Sequence, residues 1–212
     1  MGVRQYKNDE SLKSKENEPQ TEVSWATPWG MATMKKVADL NETESYDTTK
    51  SFYKDYDDTG LETCILTGIF ADSEEEAIKQ VRETGHCRYA YMTEDGKCEI
   101  KLTEEEKTWW IDSAKKTVDK IIEKNVDNEG YTFVLSEDYK ELQVFANKDG
   151  KLSEFQADIT NLVYAIEIIK LFSGADDWNV VITVTNTENG VEIAKANCPK
   201  EELIIEPEMW DE

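Results

Sequence analysis

Histidine is nearly missing from this chain: His86 is the only one in 212 residues. Zinc takes three or four His, Cys or carboxylate ligands in a defined spacing, so one histidine makes a poor start for such a site. The four cysteines do not fill the gap, because no two of them stand as C-x-x-C. His86 is therefore expected at the edge of a strand with no chemical task. A His-assisted nucleophile would need a Ser or Cys and an orienting acid beside it, which spacing alone does not place. No Gly-x-Gly-x-x-Gly or Walker sequence is present, so nucleotide chemistry has no support. No cofactor and no metal is expected. Long apolar runs are missing as well, none approaching the roughly 18 residues that cross a bilayer. The opening Met1-Gly-Val-Arg-Gln-Tyr6 leads into polar residues, unlike a signal peptide. Tyr6 also stands where a myristoylation motif wants Ser or Thr. The chain as it stands is expected to be cytoplasmic, or from the cell envelope if a leader has been removed.

Basic residues are scarce against the acids: 24 Lys and Arg face 46 Asp and Glu, a net charge of −22. That surplus repels nucleic acid and anionic membranes within reach of its field, so neither is an expected direct partner. It favours a basic protein, a basic peptide or divalent cations. Solubility alone is the plainer use of the same charge. The surplus is uneven. Residues 1–60 carry 12 acids and 8 bases, net −4, which leaves −18 for the rest. The last twelve residues hold Glu201, Glu202, Glu206, Glu208, Asp211 and Glu212 and no base.

Three segments follow from composition. Residues 1–22 are polar and read as a disordered arm. Residues 23–60 carry Trp25, Trp29, Met31 and Met34 and read as a loosely structured aromatic-containing stretch. A short helix from Met31 to Leu40 or a segment that folds on binding are the two readings of its first part. Residues 61–212 read as the α+β domain with its acidic C-terminal run.

Within that domain, Leu61–Phe70 is an apolar, β-branched run. Ser73 then precedes three glutamates, the chemistry of a helix N-terminus, and the helix should reach about Thr84. Arg88–Thr93 and Lys97–Leu102 alternate around Glu94-Asp95-Gly96, a hairpin signal. Thr103 with Glu106 forms a capping box that opens a helix to about Lys124. Tyr131–Ser136 and Glu141–Ala146 read as strands. Ser153 with Gln156 opens a helix to about Phe172. Trp178–Thr185 and Val191–Ala196 flank a loop ending in Asn189-Gly190. The order is a strand, then helix–strand–strand three times. That predicts an α+β fold, an antiparallel sheet built from hairpins with helices on one face. Residue-level likeness between the units is slight, as in Asp95-Gly-Lys97 and Asp149-Gly-Lys151, which turn chemistry alone would produce. In the first hairpin Cys98 should face about residue 91. That is four residues from Cys87, on the order of 13 Å along a strand and beyond disulfide reach. Buried free thiols are expected instead.

From Thr103 onward, the Thr108-Trp-Trp-Ile111 helix, the Tyr131-Thr-Phe-Val and Glu141-Leu-Gln-Val strands, and Asp177-Trp-Asn-Val-Val-Ile-Thr-Val184 resemble C-terminal domains of uncharacterised Gram-positive lipoproteins. The resemblance covers about half the chain. It implies an extracytoplasmic protein and brings no activity or catalytic residue with it.

Two surfaces stand out on helical geometry. Trp110, Ala114, Val118 and Ile121 share the core stripe of one helix, which leaves Trp109 nearly opposite, beside Asp112 and Lys116. Such a tryptophan is either covered by another part of the chain or open to a partner. On the helix from Ser153, Phe155, Ile159, Leu162, Ile166 and Ile169 make the core face. Ala157, Tyr164, Ile168 and Leu171 make a second apolar stripe, either buried inside the domain or available for a homodimer. Asp55-Tyr-Asp57-Asp58-Thr59-Gly60 imitates the start of a calcium loop, but its twelfth position is Leu66 rather than Glu. Asn41-Glu42-Thr43 is a glycosylation sequon. Carboxylate pairs for glycosidase-type chemistry are too numerous among 46 acids to carry a signal.

These readings converge on a non-enzymatic acidic binding protein whose partner is a basic protein. Its concrete form is an inhibitor that mimics nucleic acid and occupies a basic groove. The residues expected to contribute are Glu104, Glu105, Glu106 and Trp109, the stripe Tyr164, Ile168 and Leu171, and Glu206, Glu208, Trp210, Asp211 and Glu212. The alternatives are an envelope lipoprotein domain with a structural or ligand-binding role, and an enzyme of unknown class.

Overall fold

The computed structural model describes residues 22–27, 30–35, 46–66, 73–148, 150 and 152–211. The expected polar arm up to residue 21, the sequon and Glu212 lie outside the described residues.

The chain begins with a hairpin, β1 (Glu22–Thr27) against β2 (Gly30–Lys35), with Glu22 opposite Lys35. Residues 31–35 are therefore strand and not the start of a helix. Alternating apolar and small polar residues on both sides of Pro28 suit an antiparallel pair better than a helix. The rest of the helix reading, up to Leu40, lies outside the described residues.

The element order then follows the sequence closely. It runs β3 (Glu62–Leu66), α1 (Glu74–Glu83), β4 (Tyr89–Met92), β5 (Cys98–Leu102), α2 (Glu104–Lys124), β6 (Tyr131–Leu135), β7 (Glu141–Ala146), α3 (Leu152–Phe172), β8 (Val180–Asn186) and β9 (Glu192–Cys198). Capping chemistry sets the starts of α1 and α2, whereas α3 begins at Leu152 and takes Ser153, the expected cap, into the helix. Ser73 Oγ accepts from Glu76 N at 3.2 Å, and Thr103 and Glu106 close a full capping box. Gly85, at φ +69°, turns the chain out of α1 in the left-handed conformation that glycine adopts without strain.

The fold is α+β, but among the described residues β3 to β9 form two sheets, apart from the β1–β2 hairpin, and not a single hairpin-built one. β3, β5 and β4 make an antiparallel sheet in that order. β6, β7, β8 and β9 make a mixed sheet in which β7 and β8 run parallel, Leu142 opposite Ile182. The physical reason lies in α3. A strand–helix–strand crossover brings its second strand back parallel to the first, while hairpins exist only where a short turn joins neighbours.

One continuous core joins both sheets and all three helices. α2 and α3 pack side by side, α1 lies against β4, and α3 approaches β3. The mixed sheet buries one face, including Phe133, Val144, Ile182 and Ala196. Its other face meets solvent, with Val134, Gln143 and Lys195 exposed in one row across the strands. α3 is buried on both sides along its second half, where Ile166, Ile168 and Ile169 are all in the core. The stripe Tyr164–Ile168–Leu171 is thus no free dimer surface: Ile168 has no exposed area, and Tyr164 and Leu171 are half-buried. Among the described residues no helix is long and apolar enough to cross a membrane.

Residues 46–61 also depart from the expected boundary at 60. They pack on the folded body through Tyr46, Tyr53 and Tyr56 rather than standing apart from it.

Candidate interaction surface

The acidic residues singled out in the sequence fall at two separate ends of the molecule. Trp110, near the start of α2, packs its ring 5.6 Å from Phe172 at the end of α3. At the other end of α2, Lys124 and Asn125 meet Asp158 near the start of α3. The two helices are therefore antiparallel. Asn186, at the close of β8, belongs with the second end, because Ala146 is its neighbour and Tyr131, opposite Ala146, bonds Asp158. The Asn186 amide in turn donates to the Trp210 carbonyl at 3.5 Å. A 21-residue helix is about 30 Å long. Glu104–Glu106 and the C-terminal turn thus lie roughly that far apart and do not form one patch.

At the first end, the three glutamates of α2 have different tasks. Glu106 Oε2 accepts from Thr103 N at 2.8 Å, and Oε1 meets Arg88 Nε at 3.2 Å, so this carboxylate is spent on structure. Glu104 shares Lys107 with Glu62 of β3, at 3.7 and 2.6 Å. The hydrogen bond between the two carboxyls holds Glu62 below the usual carboxylate range and pushes Glu104 above it. Glu105 is exposed and has no ion pair among the described residues. Trp109 is half-buried and lies flat against His86, ring centres 3.7 Å apart at 14°. The loop after α1 supplies that cover, so Trp109 is not a bare anchor waiting for a partner. Its backbone neighbour in the stack is also occupied: the His86 carbonyl accepts from Trp110 Nε1 at 2.8 Å.

At the second end, Pro207–Asp211 forms a 3-10 helix that carries Trp210 onto the core, with Ile205 buried just before it. Glu206 and Glu208 face solvent. The Asp211 side chain lies outside what is described.

Two groups that belong to no sequence motif organise the interior polar contacts. Asp158 accepts three bonds at one oxygen, from Asn125 Nδ2 and Tyr131 hydroxyl at 3.0 Å and Lys124 Nζ at 3.3 Å. Arg82 sits inside a ring of aromatic side chains from residues 46–53. The only sequence signals were an acid placed among apolar helix positions and an aromatic spacing, Tyr46, Phe52, Tyr53 and Tyr56, within a polar stretch.

The chemistry open to this surface is electrostatic. All four cysteines are free thiols. Cys98 pairs in register with Met92, one residue from the expected position, and forms no bridge. Burial pushes the Cys64 and Cys87 thiols up to about 11 and Cys98 to about 12, which keeps them protonated at neutral pH. In the calcium-like loop, Asp57 accepts from Thr59 N at 3.0 Å and Asp58 meets Lys101 at 3.6 Å. Leu66, its twelfth position, is fully buried in β3. Among the described residues no three His, Cys, Asp or Glu side chains are gathered as a metal ion would need.

Eight of the described bases are paired with the chain's own acids, Lys79 and Lys124 among them. Arg88, Lys97, Lys101, Lys107, Lys140 and Lys200 each hold a carboxylate within 4.0 Å. Glu74, Glu94, Glu137, Asp176 and Glu202 are exposed and have no ion pair among the described residues. Compared with known proteins, the chain matches no family model, no curated protein and no solved structure.

Proposed function

We propose that this chain is a non-enzymatic acidic binding protein that occupies a basic groove of a nucleic-acid-handling protein, its carboxylates standing in for phosphates. The observation that carries the reading is the unequal use of charge. Eight of the described bases are held in ion pairs with the chain's own acids, and Arg82 is enclosed by rings. Exposed glutamates and aspartates are left to face water, many at helix starts and turns. The −18 of residues 61–212 is therefore felt outside the molecule as a net negative field, on a surface that also exposes Lys115, Lys116, Lys120, Lys148 and Lys195.

A field of this sign speeds encounter with a basic surface and rejects acidic ones. Its range is about 8 Å at physiological salt and shrinks to about 3 Å at 1 M. Exposed acids at both ends favour a partner that reaches along the molecule over one that grips a single point.

The test is capture from a lysate of the source organism on the immobilised full chain, eluted in steps of rising salt. A basic nucleic-acid-handling protein retained at low salt and released before 1 M salt is the expected result. A partner whose retention is the same at low and high salt would overturn the reading, since charge would not be what holds it.

A further inference from the structure

Among the described residues β4 is an edge strand, paired with β5 on one side and with no strand on the other. An open edge is a template for pairing with another chain, and folded proteins cover it. Here the cover is not a strand. The Tyr53 hydroxyl accepts from Ala90 N and donates to Ala90 O, both at 2.9 Å. Met92 N donates to the Thr48 carbonyl at 2.7 Å. The Tyr89 hydroxyl accepts from Asp57 N at 3.0 Å and donates to the Asp55 carbonyl at 3.2 Å. Every one of these partners of β4 belongs to residues 46–58.

That segment is fastened from the other side by one residue of α1. Arg82 Nε donates to the Ala90 carbonyl at 3.0 Å and Nη1 to the Asp47 carbonyl at 2.8 Å. Nη2 is buried and has no hydrogen-bond acceptor among the described residues. The guanidinium carbon lies 4.1 Å from the ring centre of Phe52, 4.9 Å from Tyr53 and 5.0 Å from Tyr46. A guanidinium against ring faces is attractive where water is excluded. Burial does little of the fastening: no residue from 46 to 58 is buried, and Phe52 is 46 % exposed.

We propose that residues 46–58 form a strap that opens and closes on the edge of β4 as one unit, with Arg82 as its clasp. Segments with few buried apolar groups and solvent-facing hydrogen bonds open at low free energy, often cooperatively. The Tyr53 hydroxyl and the Arg82 guanidinium both hold Ala90 at the middle of the segment, between the Thr48–Met92 and Asp57–Tyr89 bonds. A strap that moves as one unit is therefore freed along its whole length when either is loosened. Opening leaves the β4–β5 ladder and the core beneath it in place. Closed, the strap denies β4 to any other chain; open, it bares the edge groups of Ala90 and Met92.

Amide hydrogen exchange of the full chain, read residue by residue, tests this. Tyr53→Phe deletes only the hydroxyl, which is the direct partner of Ala90 N. Met92 N and Asp57 N keep their own acceptors, the Thr48 carbonyl and the Tyr89 hydroxyl. The strap predicts that Ala90, Met92 and Asp57 accelerate together, by about tenfold for one lost hydroxyl making two bonds. Ile100, in the central strand, keeps its rate and reports that the fold is intact. Arg82→Lys, which keeps the charge and loses the two-sided grip, should accelerate the same three amides. Acceleration confined to Ala90 in Tyr53→Phe, or none at all, would overturn the strap.

Discussion

Replacing Trp110 with alanine is expected to lower folding stability by about 4 kcal/mol, the largest single effect foreseen for this chain. The indole has no exposed surface. It sits where three elements meet, with Phe172 of α3 at 5.6 Å and Trp109 edge-on at 5.7 Å. Its Nε1 donates to the His86 carbonyl at 2.8 Å, which ties the loop after α1 to α2. Truncation removes the packing on all sides and leaves that carbonyl without its donor. Trp110→Phe separates the two contributions, keeping most of the volume and losing the hydrogen bond, with an expected loss of about 1–2 kcal/mol. Urea unfolding of both variants gives the comparison, provided the slope with denaturant is unchanged. A loss below about 2 kcal/mol for Trp110→Ala would mean that the site collapses to fill the space, contrary to a junction fixed by three elements.

Asp158→Ala comes next, with an expected cost of about 3 kcal/mol. The carboxylate binds α3 to the end of α2 and to the start of β6 through one oxygen. Asn125 is fully buried and Tyr131 is 3 % exposed, so neither donor reaches water once Asp158 is gone. Asn125 is doubly committed, since its Nδ2 also donates to the Ile121 carbonyl and its Oδ1 accepts from Asn128. The loss should therefore spread into the turn that leads to Gly130. Asp158→Asn keeps the shape and removes the charge, and it carries a second readout. Burial, and after it the Asp158 charge, raises the Tyr131 phenol above its ordinary value. A negative neighbour disfavours the phenolate, so removing that charge must lower the Tyr131 titration midpoint. Absorbance of the folded variants at alkaline pH measures it. A midpoint that stays in place would show that the charge does not act on Tyr131 and that the contact is one of packing alone.

Local chemistry made most of the fold readable. Ser73 with Glu76 and Thr103 with Glu106 fix two helix starts by bonds of one turn's length, and the Glu94-Asp95-Gly96 turn fixes one hairpin. Such signals act over three or four residues and survive in any tertiary setting. Strand partnership does not. The run Val180-Val-Ile-Thr-Val184 is β-branched on both faces, as a central strand between two neighbours would be. Its parallel pairing with β7 nevertheless depends on where α3 delivers it. A helix–strand–strand repeat is equally compatible with hairpins throughout, and periodicity has no term for the difference.

The candidate surface was legible in charge and not in place. Glu104, Glu105, Glu206 and Glu208 are exposed as a binding role requires, yet about 30 Å of helix separates the two groups. Glu106 looks identical to its neighbours in the sequence, but the capping box and Arg88 take both of its oxygens. Trp109 is half-buried beside the core. Its cover, the His86 ring, comes from a loop 23 positions earlier that no helical wheel includes. Ile168 shows the converse case: two apolar stripes on α3 signal two burials, and the chain itself provides both. The polar composition of residues 46–58 concealed a docked segment because its four aromatic rings settle on Arg82 and on β4, neither of which is near in sequence.

We propose that carboxylates here occupy a site made for phosphates. The most direct measurement is displacement: the chain, bound to the basic partner it retains at low salt, is challenged with duplex DNA at constant ionic strength. Competition for one groove predicts that DNA releases the partner completely, with a midpoint that rises in proportion to the concentration of the acidic chain. Retention of the partner under saturating DNA would contradict the account, placing the contact outside any groove that holds nucleic acid.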